Sequence, residues 1–309
     1  MANASGIRSS ADGGAIFIAG PTAVGKSELA LALAEKICGE IISVDSMQVY
    51  RGLDIGTAKP GPGARKRVPH HLIDVCELSE TFDAAKFVQS AERAVADILS
   101  RNKVPIFCGG TGLYFKAFLD GLGDAPAADP GLRAELEAAP LTDLLEELRK
   151  RDPEAYQKID KKNPRRVVRA VEVVRTTGKP VSESRPEWKS IAHHTTGATL
   201  TLLVRSSADL RERIDSRVAE MFRKGLVEET RELLQRGLAE NRTAMQAIGY
   251  RQVVECLRGK RNLDDTVELV KIRTRQFAKR QLTWFRRHAH CKWIELNKGE
   301  TVGEIMERL

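Results

Sequence analysis

Gly20-Pro21-Thr22-Ala23-Val24-Gly25-Lys26-Ser27 follows the apolar run Ala15-Ile16-Phe17-Ile18-Ala19 and leads straight into Glu28-Leu29-Ala30-Leu31-Ala32-Leu33-Ala34. Strand, glycine-bearing loop and helix, in that order, are the setting in which G-x-x-x-x-G-K-[ST] cradles phosphate. The loop's backbone N–H groups can wrap a diphosphate, and the helix starting there adds the positive end of its dipole. Lys26 reaches the outer phosphate oxygens, and the Ser27 hydroxyl is a ligand for Mg²⁺. The motif specifies a polyphosphate. It does not say which one, or what is done with it.

After this loop, short apolar runs at 40–44, 104–108, 200–204 and 293–296 predict further buried strands, and helical patterns at 27–37 and 83–101 lie among them. Such alternation predicts an α/β fold: a P-loop NTPase-like parallel sheet flanked by helices. Residues 123–130 form a turn-rich linker, followed by amphipathic helical stretches near 131–150, 153–159 and 164–177 and a polar stretch at 178–198. The expected organisation is a disordered tail at 1–14, a core domain made of 15–122 and 199–309, and an all-helical insertion at 123–198.

The 309 residues carry a formal net charge of +8, unevenly placed. Residues 1–148 hold 14 Lys+Arg against 20 Asp+Glu, residues 149–189 hold 13 against 6, and residues 205–309 hold 23 against 16. Two basic blocks behind an acidic front suggest a polyanionic partner larger than a nucleotide, though a solvated helix face accounts for one such block equally well. No apolar stretch approaches the roughly 20 residues of a membrane span, and the first fifteen residues lack a secretory apolar segment. The five cysteines show no paired spacing, which fits reduced thiols in a cytoplasm. His288, His290 and Cys291 lack two further ligands at zinc spacing, so no metal site is expected there.

Three further places carry candidate chemistry. Asp45-Ser46-Met47-Gln48-Val49-Tyr50 follows the second strand, and an acid at a parallel strand's carboxyl end faces the ligand crevice. Asp45 there is a general base, a Mg²⁺ partner, or simply the cap of the next turn. Gly109-Gly110-Thr111-Gly112-Leu113-Tyr114 follows the 104–108 strand; its glycines allow close approach to a ligand or merely make a tight turn. A helix capped at Ser207 or Asp209 places Arg217 beside the stripe Leu210, Ile214, Val218 and Met221, suited to a diphosphate or to a structural ion pair. The run 271–287 mixes cations with Phe277 and Trp284. The aromatics are expected in the core, with the cations available to RNA.

Together with Asp54-Ile55-Gly56-Thr57-Ala58-Lys59-Pro60, His70-His71-Leu72, Asn163-Pro164-Arg165-Arg166-Val167-Val168-Arg169-Ala170, Ile248-Gly249-Tyr250 and Arg275-Gln276-Phe277-Ala278-Lys279-Arg280-Gln281-Leu282-Thr283-Trp284-Phe285, these blocks resemble the bacterial tRNA dimethylallyltransferases, in that family's order over about residues 15–295. The resemblance implies transfer of a dimethylallyl group from dimethylallyl diphosphate, with Mg²⁺, to N6 of the adenosine immediately 3′ of the anticodon in tRNAs reading codons that begin with U. It implies that Asp45 is the base on the adenine amine, that Gly20–Ser27 bind the diphosphate, and that Lys26, Ser27, Thr111 and Arg217 hold the leaving group or its metal. Asp45, Ser46, Met47, Gln48, Thr111, Arg165, Arg166, Val167, Val168, Arg169, Gly249, Tyr250 and Arg251 are then expected to meet tRNA, with the insertion clamping the anticodon stem-loop. The eukaryotic branch has a C-terminal zinc finger that is missing here, so a bacterial member is the expectation. Nothing demands a dimer, and a monomer is expected.

Three other readings share some of these features. A small-molecule P-loop kinase needs the loop and the strand-end acid but not the basic blocks. An adenylate prenyltransferase does the same chemistry on a free nucleotide, without use for the insertion. An RNA-binding scaffold with a relic loop has no need of an intact Lys26, Ser27 and Asp45.

Overall fold

The computed structural model describes residues 14–121, 126, 129–181, 199–288 and 291–309. The tail expected at 1–14 lies outside them except for Gly14, as do most of the linker and most of the polar stretch. Six strands form one sheet: β1 Ile16–Ala19, β2 Gly39–Val44, β3 His70–His71, β4 Val104–Gly109, β5 Leu200–Val204 and β6 Cys291–Glu295. Their order is β3-β2-β4-β1-β5-β6, and every pairing is parallel. The two-residue β3 escaped the sequence reading because a pair of histidines has neither apolar alternation nor length.

The chain divides into two compact units, Met1–Leu119 with Ala192–Leu309, and Asp120–Ile191. The first unit begins with helices α1 Lys26–Ile37, α2 Pro62–Arg67, α3 Ala84–Ser100 and α4 Gly112–Asp120. Successive strand residues point to opposite faces, so the continuous apolar runs feed two cores. Phe17, Ile42, Phe107 and Leu202 lie in one; Ile18, Ile41, Ile106 and Leu203 lie in the other. Phe17 and Phe107 are neighbours in register and stack at 4.8 Å. Both faces of the sheet are therefore buried, as a parallel sheet requires.

The second unit holds α5 Pro130–Ala138, α6 Leu141–Arg151, α7 Pro153–Lys158 and α8 Pro164–Thr177. The single helix expected over 131–150 is two, because Pro140 has no N–H to give and interrupts the ladder. Each proline at a helix start sits where a missing N–H costs nothing, and Asp129, Asp152 and Asn163 cap α5, α7 and α8. Leu136, Leu144, Leu148, Val167, Val171 and Val174 make a small separate core. Within it lies Glu172, fully buried, whose Oε2 accepts from Arg133 (2.5 Å) and Arg169 (2.7 Å). Burial pushes this carboxyl up, but the two guanidinium hydrogen bonds outweigh it and hold Glu172 below the usual range.

The first unit closes with α9 Ser207–Arg223, α10 Leu226–Gln235, α11 Tyr250–Leu257, α12 Leu263–His288 and α13 Val302–Met306. The cap of α9 is Ser206, whose Oγ accepts from Asp209 N–H at 3.3 Å; neither Ser207 nor Asp209 serves. Asp209 pairs instead with Arg205 at 2.8 Å. On α12, Phe285 is the fully buried aromatic, whereas Phe277, expected inside, is 37% exposed. No helix among the described residues is long and apolar enough to cross a membrane.

Candidate active site

The sheet register assembles the site. Ala19 pairs with Gly109, and Gly109 with Val44, so β1, β4 and β2 end level with one another. The next residues are Gly20, Gly110 and Asp45. The phosphate loop, the glycine-rich loop and the strand-end acid therefore leave three adjacent strands at one carboxyl edge, where open α/β sheets bind ligands.

In the phosphate loop, Gly25 has φ +110° immediately before α1, a left-handed conformation that lets the helix begin at Lys26. Lys26 Nζ donates to the Pro21 carbonyl at 2.7 Å, which keeps the ammonium over the loop. Desolvation, with nearby Arg217 adding to it, lowers its pKa to about 8, although Asp45 and Cys108 pull the other way. Ser27, in the first turn of α1, is exposed. Two arginines of the third quarter of the chain brace the loop from behind. Arg213 Nε donates to Ala23 O and Arg205 Nε to Val24 O, each at 2.8 Å. These braces were not foreseen, although Arg213 stands one helical turn before Arg217 on the same face.

Asp45 Oδ1 accepts from the N–H groups of Met47 (2.8 Å) and Gln48 (3.2 Å), so it does cap the following turn. Its other oxygen takes no hydrogen bond among the described residues. Burial raises its pKa, while the two N–H donors, Lys26 and Lys59 oppose the rise. Capping and a poised carboxylate thus coexist in one side chain. Thr111 Oγ1 accepts from Ser46 N–H at 3.2 Å and joins the two acceptor-side loops.

The three glycines around Thr111 make room for the chain's own groups. A Cβ would lie 2.1 Å from Val44 O at Gly109, 2.2 Å from Gln281 Nε2 at Gly110, and 2.1 Å from Trp284 at Gly112. None has a positive φ, so close approach and not turn geometry explains them.

Arg217 makes no hydrogen bond or ion pair among the described residues. Desolvation, with Arg213 nearby, lowers its pKa. The ion pair weighed for this helix belongs elsewhere, between Asp215 and Arg275 at 2.7 Å. A cavity of about 770 Å³ opens beside the loop, lined by Ala23, Lys59, Arg213, Arg217, Met221 and Lys224 among others, but not by Lys26 or Asp45. Its volume suits a small ligand.

Other expected contacts sit differently. Gln48 is occupied by Ser43 Oγ (2.9 Å) and by the Thr57 carbonyl (3.1 Å). Tyr250 is fully buried. Its hydroxyl donates to Glu229 (2.6 Å) and accepts from Gly56 N–H (3.0 Å), which holds the 54–59 loop. Gly249 turns the chain at φ +100°, and Arg251 is exposed and paired with Glu255. In the second unit the Val167 and Val168 side chains are core, Arg169 is tied to Glu172 and Pro126 O, and Arg166 is exposed with no partner for its guanidinium among the described residues.

A family model described as IPP transferase matches residues 48–288. The chain belongs to the IPP transferase family. Similar curated proteins include the tRNA dimethylallyltransferases of Carboxydothermus hydrogenoformans, 45% identical over 306 residues and 95% of each chain, and of Thermotoga maritima, 41% identical over 299 residues and 95% of each. Among solved structures, the tRNA isopentenylpyrophosphate transferase of Bacillus halodurans is 38% identical with a TM-score of 0.70, over 96% of this chain and 94% of that one. A eukaryotic dimethylallyltransferase acting on tRNA is 30% identical with a TM-score of 0.77, over 91% of this chain and 73% of that one. The α/β fold read from the strand pattern is the fold of these IPP transferases.

Proposed function

We propose that this IPP transferase transfers the dimethylallyl group of dimethylallyl diphosphate to N6 of the adenosine immediately 3′ of the anticodon in tRNAs reading codons that begin with U. The observation that carries this reading is the register-level alignment of Asp45, the Thr111 loop and the phosphate loop on adjacent strands. An adenine amine is a weak nucleophile, because its lone pair is delocalised into the ring. It must be held in line with the allylic carbon and lose a proton as the bond forms. The N6 nitrogen bonds to C1 of the donor, the C1–O bond breaks, diphosphate leaves, and Asp45 takes the N6 proton. Lys26 and Arg217 stabilise charge building on the diphosphate. Thr111 keeps Ser46, and with it Asp45, in place.

The donor set also fits Mg²⁺. The exposed Ser27 hydroxyl is a hard ligand, and Mg²⁺ characteristically completes its shell with substrate phosphate and water. Ser27 would hold it, and it would offset charge on the diphosphate. The partner is the tRNA anticodon stem-loop, gripped by cations of the 149–189 block such as the exposed Lys162 and Arg166, and the working unit is a cytoplasmic monomer. The test is mass spectrometry of tRNA nucleosides after incubation of the purified protein with tRNA and dimethylallyl diphosphate. Adenosine heavier by one dimethylallyl group is expected; consumption of ATP with unmodified tRNA would favour a kinase.

A further inference from the structure

Gln281, on α12, is a polar side chain where the pattern calls for an apolar one. On α12, Val270, Ala278 and Phe285 are buried at helical spacing, and Gln281 continues their stripe at 8% exposure. Its Oε1 accepts from Thr22 N–H at 2.9 Å, and its Nε2 donates to Gly110 O at 3.0 Å. A donor on one side and a carbonyl on the other permit only this orientation of the amide. Thr22 belongs to the phosphate loop. Gly110 precedes Thr111, which holds Ser46 and so the turn containing Asp45. Gly110 has no room for a Cβ because Nε2 occupies the place. A single amide therefore spans the gap between the loop for the leaving group and the loops for the incoming amine.

We propose that Gln281 is a positioning residue, an amide clamp that sets the spacing between the phosphate loop and the Asp45–Thr111 loops; its effect on rate rests on the prenyl-transfer reading above. In-line displacement requires the reacting atoms to be about 3–3.5 Å apart, and a misplacement of about 1 Å costs on the order of 100-fold in rate. The alternative role, satisfying two buried backbone groups, affects stability alone.

Gln281→Met keeps length and apolar fit and removes both hydrogen bonds. The expected result is a single-turnover rate about 30–100-fold lower, tRNA affinity within about twofold, an unmoved acid limb of the pH–rate profile, and faster hydrogen exchange of the Thr22 amide. A rate within about threefold of wild type, or a loss lying entirely in tRNA affinity, overturns the proposal. Gln281→Glu gives a second signature that does not need the Met variant to fold. A neutral carboxylic acid can replace both bonds of the amide, whereas a carboxylate faces the Gly110 carbonyl with no proton. The rate of this variant relative to wild type should therefore climb as pH falls; a ratio flat with pH overturns the clamp. Wild-type protein that makes no prenylated adenosine refutes the prenyl-transfer reading instead, and the exchange of Thr22 then still decides whether the clamp exists.

Discussion

Arg217 and Arg169 have the same side chain in opposite circumstances. Arg169, in the helical unit, spends its guanidinium on Glu172 and on the Pro126 carbonyl. Arg217, in the sheet unit, lies near Arg213 and Lys26 and makes no ion pair among the described residues; desolvation and Arg213 drive its pKa down, and Glu28 opposes them only in part. A desolvated cation held near other cations, with no carboxylate hydrogen-bonded to it, is unfavourable on its own and favourable once a polyanion arrives. A cation clamped on a buried carboxylate contributes to the fold and has little left for a ligand. Arginine count alone cannot tell these cases apart, although both residues lie in basic blocks of net +7.

The largest expected effect sharpens the catalytic side of this contrast. Asp45→Asn should fold normally and bind tRNA, yet lower turnover by roughly 10²–10⁴-fold, read by steady-state kinetics beside a gel-shift titration. Near-normal turnover contradicts the base role. Next comes Arg217→Ala, expected to reduce kcat/KM for the donor by about 10²–10³-fold, with Tm within about 2 °C of wild type. Arg169→Ala should do the reverse. It weakens the pairing of a buried carboxylate and should cost about 2–3 kcal/mol in denaturant unfolding. If Arg217→Ala is the one that unfolds, the contrast fails.

The site was legible where chemistry has a sequence motif and illegible where it depends on packing. The phosphate loop, Asp45 and Thr111 could be read because strand, turn and helix are local, and the parallel register then brings them level. The glycines at 109, 110 and 112 leave two readings open in the sequence, close approach to a ligand or a tight turn; in the structure Val44, Gln281 and Trp284 lie where their Cβ atoms would be. Gln281 lies 171 residues from Gly110, and no local pattern joins them; the one available signal was a polar residue inside the α12 apolar stripe. Tyr250 lies in a segment expected to meet tRNA, yet it holds the 54–59 loop from within. In the helical unit the face of Arg165, Arg166 and Arg169 is not uniform, since Arg169 turns to Glu172 and Val167 and Val168 turn inward.

A smaller effect follows from that distinction. Replacing exposed Lys162 and Arg166 with Ala should flatten the slope of log tRNA affinity against log salt by up to about two contacts, leaving stability unchanged. Parallel salt titrations for mutant and wild type contradict a phosphate-gripping role. The smallest effect concerns pH. Lys26 loses its proton as pH rises through about 8, so the donor KM should climb above that pH, and Lys26→Arg should abolish the climb. A donor KM unaffected by pH in wild type removes Lys26 from the diphosphate.

The single-turnover rate of prenyl transfer as a function of pH tests Asp45 as the proton acceptor most directly. Burial raises the Asp45 pKa, so the wild-type rate should rise with pH along a limb centred above the ordinary aspartate value as the carboxylate forms. Asp45→Asn should be slow at every pH and lack that limb. An Asp45→Asn enzyme that is slow but keeps the same rising limb would place the essential base elsewhere and contradict the account.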